Sequence, residues 1–216
     1  MKSDEQEPHC IIGTKCLSQF LDQIPDKSIV YFHNLGYDIC AFYSFIRTSS
    51  IDKGRRTMST TIRYRKKEII FKDSLSLIAM PLSKFPQAFQ LDTGSKEMFP
   101  YNYYTFDKLF KSGRGEIQVA GNKELYWDQE QFEKNINLIP NCKIDENHFD
   151  MRKYVEFYCN QDVRILKEGF NSFRQMTLNN LNIDVNEVLT APALANLYFS
   201  RNLYELVNNY NVYGGE

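Results

Sequence analysis

With 216 residues, 43% hydrophobic and 25% charged, the chain can form one large domain or one domain with an appendage, and its composition excludes a disordered polyelectrolyte. A formal net charge of −1 excludes a polycation, so nucleic-acid binding would need a local basic surface or metal ions that offset the carboxylates. No apolar run approaches the roughly 20 residues of a membrane-spanning helix, and the polar start shows no secretory signal, so the expected location is intracellular, with no membrane partner. Five cysteines, odd in number and without a C-x-x-C pair, argue for free thiols in a reducing compartment.

In chain order, residues 16–24 carry apolar positions at helical spacing and stop at Pro25. SIVYFH (28–33) reads as a buried strand. Gly36 then breaks the chain in a tight turn, and Asp38 opens a helical pattern through Ile46. MSTTIRYR (58–65) and KEIIFKD (67–73) read as the two strands of a hairpin. A looser region punctuated by Pro81, Pro86, Gly94, Pro100, Gly113, Gly115 and Gly121 follows, with short helical pieces near 82–90 and 105–111. A helix is expected over 128–137, the longest one from about Asp150 to Leu178, and a last one over 193–207. Strands interleaved with helices indicate a layered α/β domain.

Asp162 shares a helical stripe with Tyr154, Tyr158, Ile165 and Phe173, and a carboxylate on an apolar face needs a cation, a metal or a hydrogen-bond donor. The bland alternative is a salt bridge. Tyr158 lies one turn earlier on the same face. In the stretch from Tyr31 to Asp38, an apolar strand runs into Asn34 and Asp38; taken alone, Asp38 fits a helix N-cap as well as a metal ligand. Phosphodiester hydrolysis commonly uses carboxylates to hold two Mg²⁺ or Mn²⁺ ions about 4 Å apart, and a strand-borne and a helix-borne Asp could converge on such a site. Arg63, Arg65 and Lys67, on one face of an extended strand, could follow a DNA backbone or simply protect a sheet edge. Tyr101, Tyr103, Tyr104 and Phe106 could stack bases; all but Tyr101 fit a satellite core better.

Four segments in order carry a resemblance. YFHNLGYDICAFYSFI (31–46) resembles the second exonuclease motif of the protein-primed family B DNA polymerases of phages, linear plasmids, Polinton-type elements and related viruses. YCNQD (158–162) resembles the third. KDSLSLIAMPLSKF (72–85) is similar to the segment whose Ser-Leu pair contacts a single-stranded primer end, and KEMFPY (96–101) to the catalytic-lysine motif.

The resemblance implies a ribonuclease H-like α/β fold and two-metal 3′–5′ proofreading hydrolysis. Asp38 and Asp162 would be the Mg²⁺ or Mn²⁺ ligands, and Tyr158 would orient the attacking water. Asn34, Tyr37, Ser74 and Leu75 would grip the 3′ end in one groove, with strongly salt-dependent oligonucleotide binding. Lys96 would steady the scissile phosphate, supported by Tyr101. The family's opening Asp-x-Glu strand has no counterpart here: Asp4, Glu5 and Glu7 lie in a polar run. The expected domain, residues 1–180, therefore lacks its first strands. Residues 181–216 would be a helical connector ending near the family's Tyr-x-Gly-Gly segment, here with Val212 in place of its tyrosine, followed by Tyr213, Gly214 and Gly215, with no polymerase site. Expected partners are a single-stranded primer terminus, the polymerase portion and a terminal primer protein, and the isolated chain would be a weak or inactive nuclease. A stand-alone exonuclease of the same fold and a catalytically dead binding module remain the alternatives.

Overall fold

The computed structural model describes residues 8–46, 51–53, 56–92, 99–122 and 129–209. Helix α1 (Cys16–Gln23) buries Leu21 completely and stops ahead of Pro25. Its last carbonyls do not face water. The Lys67 ammonium donates to the carbonyls of Leu21, Asp22 and Ile24 at 3.2, 2.8 and 2.7 Å, a cation where the helix dipole favours one.

Strand β1 (Ile29–Phe32) leads into one α-helical turn, α2 (Leu35–Asp38), continued as a 3-10 helix over Ile39–Phe45. This helical stretch begins earlier than the expected start at Asp38. The turn is made at Asn34, in the left-handed region at φ 73° and ψ 54°. Gly36 sits in an ordinary helical turn, where an added Cβ would meet nothing within 4 Å. The tight turn expected at Gly36 is therefore at Asn34, whose short amide side chain tolerates that conformation.

Strands β2 (Ile51–Lys53), β3 (Arg56–Tyr64) and β4 (Lys67–Asp73) complete a four-stranded sheet of order β1-β4-β3-β2. β3 and β4 form the expected antiparallel hairpin, while β1 pairs with β4 in parallel, Phe32 opposite Asp73. Alternation sorts the two faces of the sheet. On one face Ile69 and Phe71 are fully buried, and Phe71 packs on Phe32 at 4.8 Å and Phe42 at 5.1 Å between ring centres. On the other face Tyr31 lies 4.2 Å from Phe170 and donates to Asn186 Oδ1 at 2.9 Å. Lys72 donates to the Asn186 carbonyl at 2.8 Å.

The chain forms two compact units. Among the described residues, one holds Leu21–Pro81 and residues 169–209; the other holds residues 8–20 and Leu82–Glu168. The four-stranded sheet and the start of the 181–216 segment, expected to be a helical connector, belong to the first unit.

The second unit contains α3 (Phe85–Phe89), a wide π-type turn over Lys108–Ser112, β5 (Arg114–Glu116), α4 (Ile117–Ala120), α5 (Gln129–Leu138) and β6 (His148–Asp150). Its core gathers Tyr103, Ile117, Phe132, Ile136, Phe149 and Tyr154. The antiparallel β5–β6 pair, whose strands are separated in the chain by α4 and α5, has no counterpart in the sequence pattern. It sets Gly115 opposite Phe149, and a Cβ at Gly115 would stand 2.4 Å from Phe149 Cε1. Asp150 then caps α6 (Met151–Leu181) by accepting from the amides of Arg152 and Lys153 at 2.9 and 3.1 Å. The last part of α6, a 3-10 turn at Val185–Glu187 and α7 (Ala191–Asn209) belong to the first unit. There Arg174 grips Asp184 with two hydrogen bonds, at 2.9 and 2.5 Å.

The architecture is a mixed α/β one, as expected from the interleaved elements. No helix among the described residues is long and apolar enough to cross a membrane. The five cysteines are free.

Candidate functional site

In the first unit, two connections leave the same end of paired strands: the turn after β1 and the turn after β4. The first carries Asn34, Tyr37 and Asp38; the second carries Ser74 and Leu75. Asp73, the last residue of β4, follows the alternation of Ile69 and Phe71 into the interior and is 1% exposed. Its Oδ1 accepts from the amides of Asn34 at 2.8 Å and Leu75 at 3.1 Å. Its Oδ2 accepts from Arg56 Nε at 3.0 Å.

Ser74 is fully buried. Its hydroxyl donates to the Phe32 carbonyl at 2.8 Å and lies 3.0 Å from His33 Nδ1. His33 Nε2 is 3.0 Å from the Met80 carbonyl, a pure acceptor, so this nitrogen carries a proton. The expected substrate-binding residues thus differ in access. Tyr37 is 80% exposed, Asn34 and Leu75 are half-buried, and Ser74 is sealed inside.

Asp38 is exposed and makes no side-chain capping bond to the helical turn it precedes, which removes its bland reading as an N-cap. Burial of its carboxyl group raises its pKa above the usual carboxylate range. A hydrogen bond from its own amide opposes this, and the negative charge of Asp73 adds to it.

In the second unit, Asp162 is half-buried and accepts from Tyr158, which is 8% exposed. The Tyr158 and Tyr101 hydroxyls are 2.5 Å apart. A carboxylate can only accept, so the Tyr158 proton points at Asp162 and Tyr101 donates to Tyr158. Burial, then the Tyr101 hydroxyl and the Asp162 charge, push the Tyr158 phenol well above its ordinary pKa, keeping it protonated. Phe99 packs on Tyr158 at 4.5 Å. Tyr101 itself is 64% exposed. Lys96 lies outside the described residues, as do Asp4, Glu5, Glu7 and the Tyr213–Gly215 segment. Asp38 belongs to the first unit and Asp162 to the second.

The aromatic run divides. Tyr103 is buried and its hydroxyl accepts from the Glu116 amide at 2.7 Å, while Tyr104 donates to the Met151 carbonyl at 2.9 Å. Both are core, as expected, whereas Phe106, expected with them, is exposed and packs on Phe110.

The basic stripe requires a correction. Arg65 is not on a strand: it sits at φ 55° in the turn joining Tyr64 to Lys67, so Arg63, Arg65 and Lys67 share no strand face. Each is already engaged. Arg63 pairs with Glu68 and Arg65 with Asp22, both at 2.7 Å, and Lys67 caps α1.

No group of three or more His, Cys, Asp or Glu placed to hold a metal occurs among the described residues. Asp73, with three donors filling its oxygens, is no free ligand. Among the described residues, Asp38 is a carboxylate whose pKa is raised first by burial and then by the Asp73 charge, both of which a bound cation would offset.

No curated protein and no solved structure matches the chain significantly. Residues 22–213, however, match the family model described as DNA polymerase type B, organellar and viral. That match takes in both candidate segments and nearly the whole chain, which therefore belongs to the organellar and viral type B DNA polymerases.

Proposed function

We propose that this chain is the 3′–5′ proofreading exonuclease part of a protein-primed type B polymerase, with a ribonuclease H-like fold, acting on the single-stranded 3′ end of a primer. The observation that carries the reading is the Tyr101–Tyr158–Asp162 hydrogen-bond chain. A phenol kept protonated beside a carboxylate is suited to orient a water molecule for attack on phosphorus. Family membership supports the polymerase context.

In this reading the water oxygen bonds to the terminal phosphorus, the P–O3′ bond breaks, and a nucleoside monophosphate leaves behind a new 3′ hydroxyl. Asp38 and Asp162 are the residues that would hold Mg²⁺ or Mn²⁺, which supplies an activated water and charge neutralisation at the leaving oxygen when bound. Tyr37, the most exposed aromatic of the first unit's turn, stacks on the terminal base. Asn34 and Leu75 contact the strand from two adjoining turns, and Ser74 holds those turns from beneath. Lys96 steadies the scissile phosphate, and Tyr101 supports that phosphate while holding Tyr158. The polymerase portion and a terminal primer protein are the partners of the complete system.

The test is digestion of a 5′-labelled single-stranded oligonucleotide with Mg²⁺ or Mn²⁺. The 216-residue chain should cut poorly, because two aspartates supply few of the roughly six oxygen ligands each such ion takes. Supplying an Asp-x-Glu strand as an N-terminal extension or a separate peptide should restore cutting, and Asp162→Ala should abolish it again. Vigorous Asp162-dependent digestion by the chain alone would place further ligands within it. Oligonucleotide affinity without metal-dependent turnover in any arm would instead identify a binding module.

A further inference from the structure

We propose that Asp73 is the positioning residue of the single-strand site: one buried carboxylate oxygen sets the turn bearing Asn34 and the turn bearing Leu75 in register with each other. The inference rests on the single-strand reading given above but assigns a role to a residue with no contact to the strand.

Asp73 reaches the interior by register. In KEIIFKD the alternation that buries Ile69 and Phe71 carries Asp73 to the same face. A carboxylate there is costly unless its oxygens are filled, and they are filled by donors from three separate segments. Oδ1 takes the Asn34 and Leu75 amides together, and Oδ2 takes Arg56 Nε from the start of β3.

The two amides are not ordinary ladder groups. Asn34 is in the left-handed region, which its amide side chain tolerates, and its backbone N–H is held there by Asp73 Oδ1. The Leu75 bond is the capping bond of the 3-10 turn Ser74–Ser76. Moving Oδ1 therefore moves both strand-gripping turns, while the Ser74 hydroxyl bond to Phe32 joins them at a second point. With 1% exposure and no vacant oxygen, Asp73 acts through Asn34 and Leu75, not on DNA.

The test uses the 216-residue chain and the variants Asp73→Asn, Asp73→Glu and Asp73→Ala. It reads anisotropy with a labelled oligo-dT, the amide NMR signals of Asn34 and Leu75, and thermal unfolding. Asn keeps an oxygen at the Oδ1 position without the charge; Glu keeps the charge but displaces the oxygen by a methylene. Affinity should stay within about threefold of wild type for Asp73→Asn and fall about tenfold or more for Asp73→Glu and Asp73→Ala, a tenfold loss being a modest free-energy change. The Asn34 and Leu75 amide signals should move together in the Glu and Ala variants and little in the Asn variant.

A residue that serves stability alone would lower the unfolding midpoints yet leave the affinities of the folded variants equal. Should the Ala variant not fold, the order of Asn over Glu still decides. Glu binding as well as Asn, or unmoved amide signals, would overturn the proposal. Absence of oligonucleotide affinity in wild type would sink the single-strand reading instead, and the two amide signals would still decide whether Asp73 sets both turns.

Discussion

At the scale of single residues, the first unit treats its two site-end carboxylates differently. Asp73 is buried with three donors, whereas Asp38 is exposed, lacks a capping bond and has its pKa raised by burial of the carboxyl group and by Asp73. A folded-state pKa above the unfolded value means that ionising Asp38 weakens the fold. The loss begins as pH rises past the unfolded pKa and is complete above the folded one. Asp38→Asn should therefore raise the unfolding midpoint near neutral pH, by only a few tenths of a kcal/mol because the residue is exposed, and the gain should vanish near pH 3. Thermal unfolding at the two pH values checks this. A lowered midpoint at neutral pH would show that the carboxylate is held by a stabilising partner.

At the scale of elements, what could be read from sequence follows the strength of each pattern. β3, β4 and α6 were legible because alternation and helical periodicity ran long enough to be unambiguous. The β5–β6 pair is not, since three residues apiece and a glycine leave no pattern to count, and α4 and α5 separate the two strands in the chain. Gly36 points to a turn that would delay the helix after β1, while the turn itself is made at Asn34. The burial of Asp73 was readable in the alternation of KEIIFKD, but an acid at a strand end is easily taken for a solvated residue.

Two predictions belong here. Gly115→Ala would drive a methyl group into the fully buried Phe149 ring and should cost about 2 kcal/mol in urea unfolding, as overpacking commonly does; an unchanged midpoint would mean that the β5–β6 pair parts freely. The second concerns Arg174, on α6, and Asp184, which also caps the following 3-10 turn through the Asn186 amide at 3.0 Å. The Arg174 hydrogen bond is the main cause holding the Asp184 pKa below its usual value. A depressed folded-state pKa gives stability that is present above the unfolded value and lost as pH falls through the folded one. Asp184→Ala should cost about 1 kcal/mol at neutral pH, discounted for partial exposure, and progressively less below about pH 4. Equal costs at pH 7 and pH 2.5 would show that charge is not the reason.

At the scale of the whole molecule, the net charge of −1 and the internal use of cations bear on how a single strand would be held. Arg56, Arg63 and Arg65 each pair with a carboxylate, and Lys67 is committed to helix carbonyls. Lys111, Arg114 and Lys134 are likewise paired, with Asp107, Asp145 and Glu130. An arginine that leaves a carboxylate for a phosphate exposes that carboxylate, which recruits a cation of its own. Through these paired cations few counterions are then released in net terms, and counterion release is what makes nucleic-acid affinity fall with salt, by about 0.7 in log–log slope per phosphate contact on single strands. The steep salt dependence expected from the sequence should therefore give way to a shallow one, with a slope of about 2 or less in magnitude. Affinity should come instead from stacking on the exposed ring of Tyr37, worth about 1–3 kcal/mol per base. Tyr37→Ala should accordingly weaken oligo-dT binding about tenfold at low and at high salt alike, without changing the slope. Anisotropy titrations across a salt series measure both quantities. A slope steeper than about 3 would reveal a basic surface that the internal ion pairs do not neutralise, and a Tyr37→Ala chain that binds like wild type would move the stacking platform to another aromatic, with Tyr101 the next to substitute.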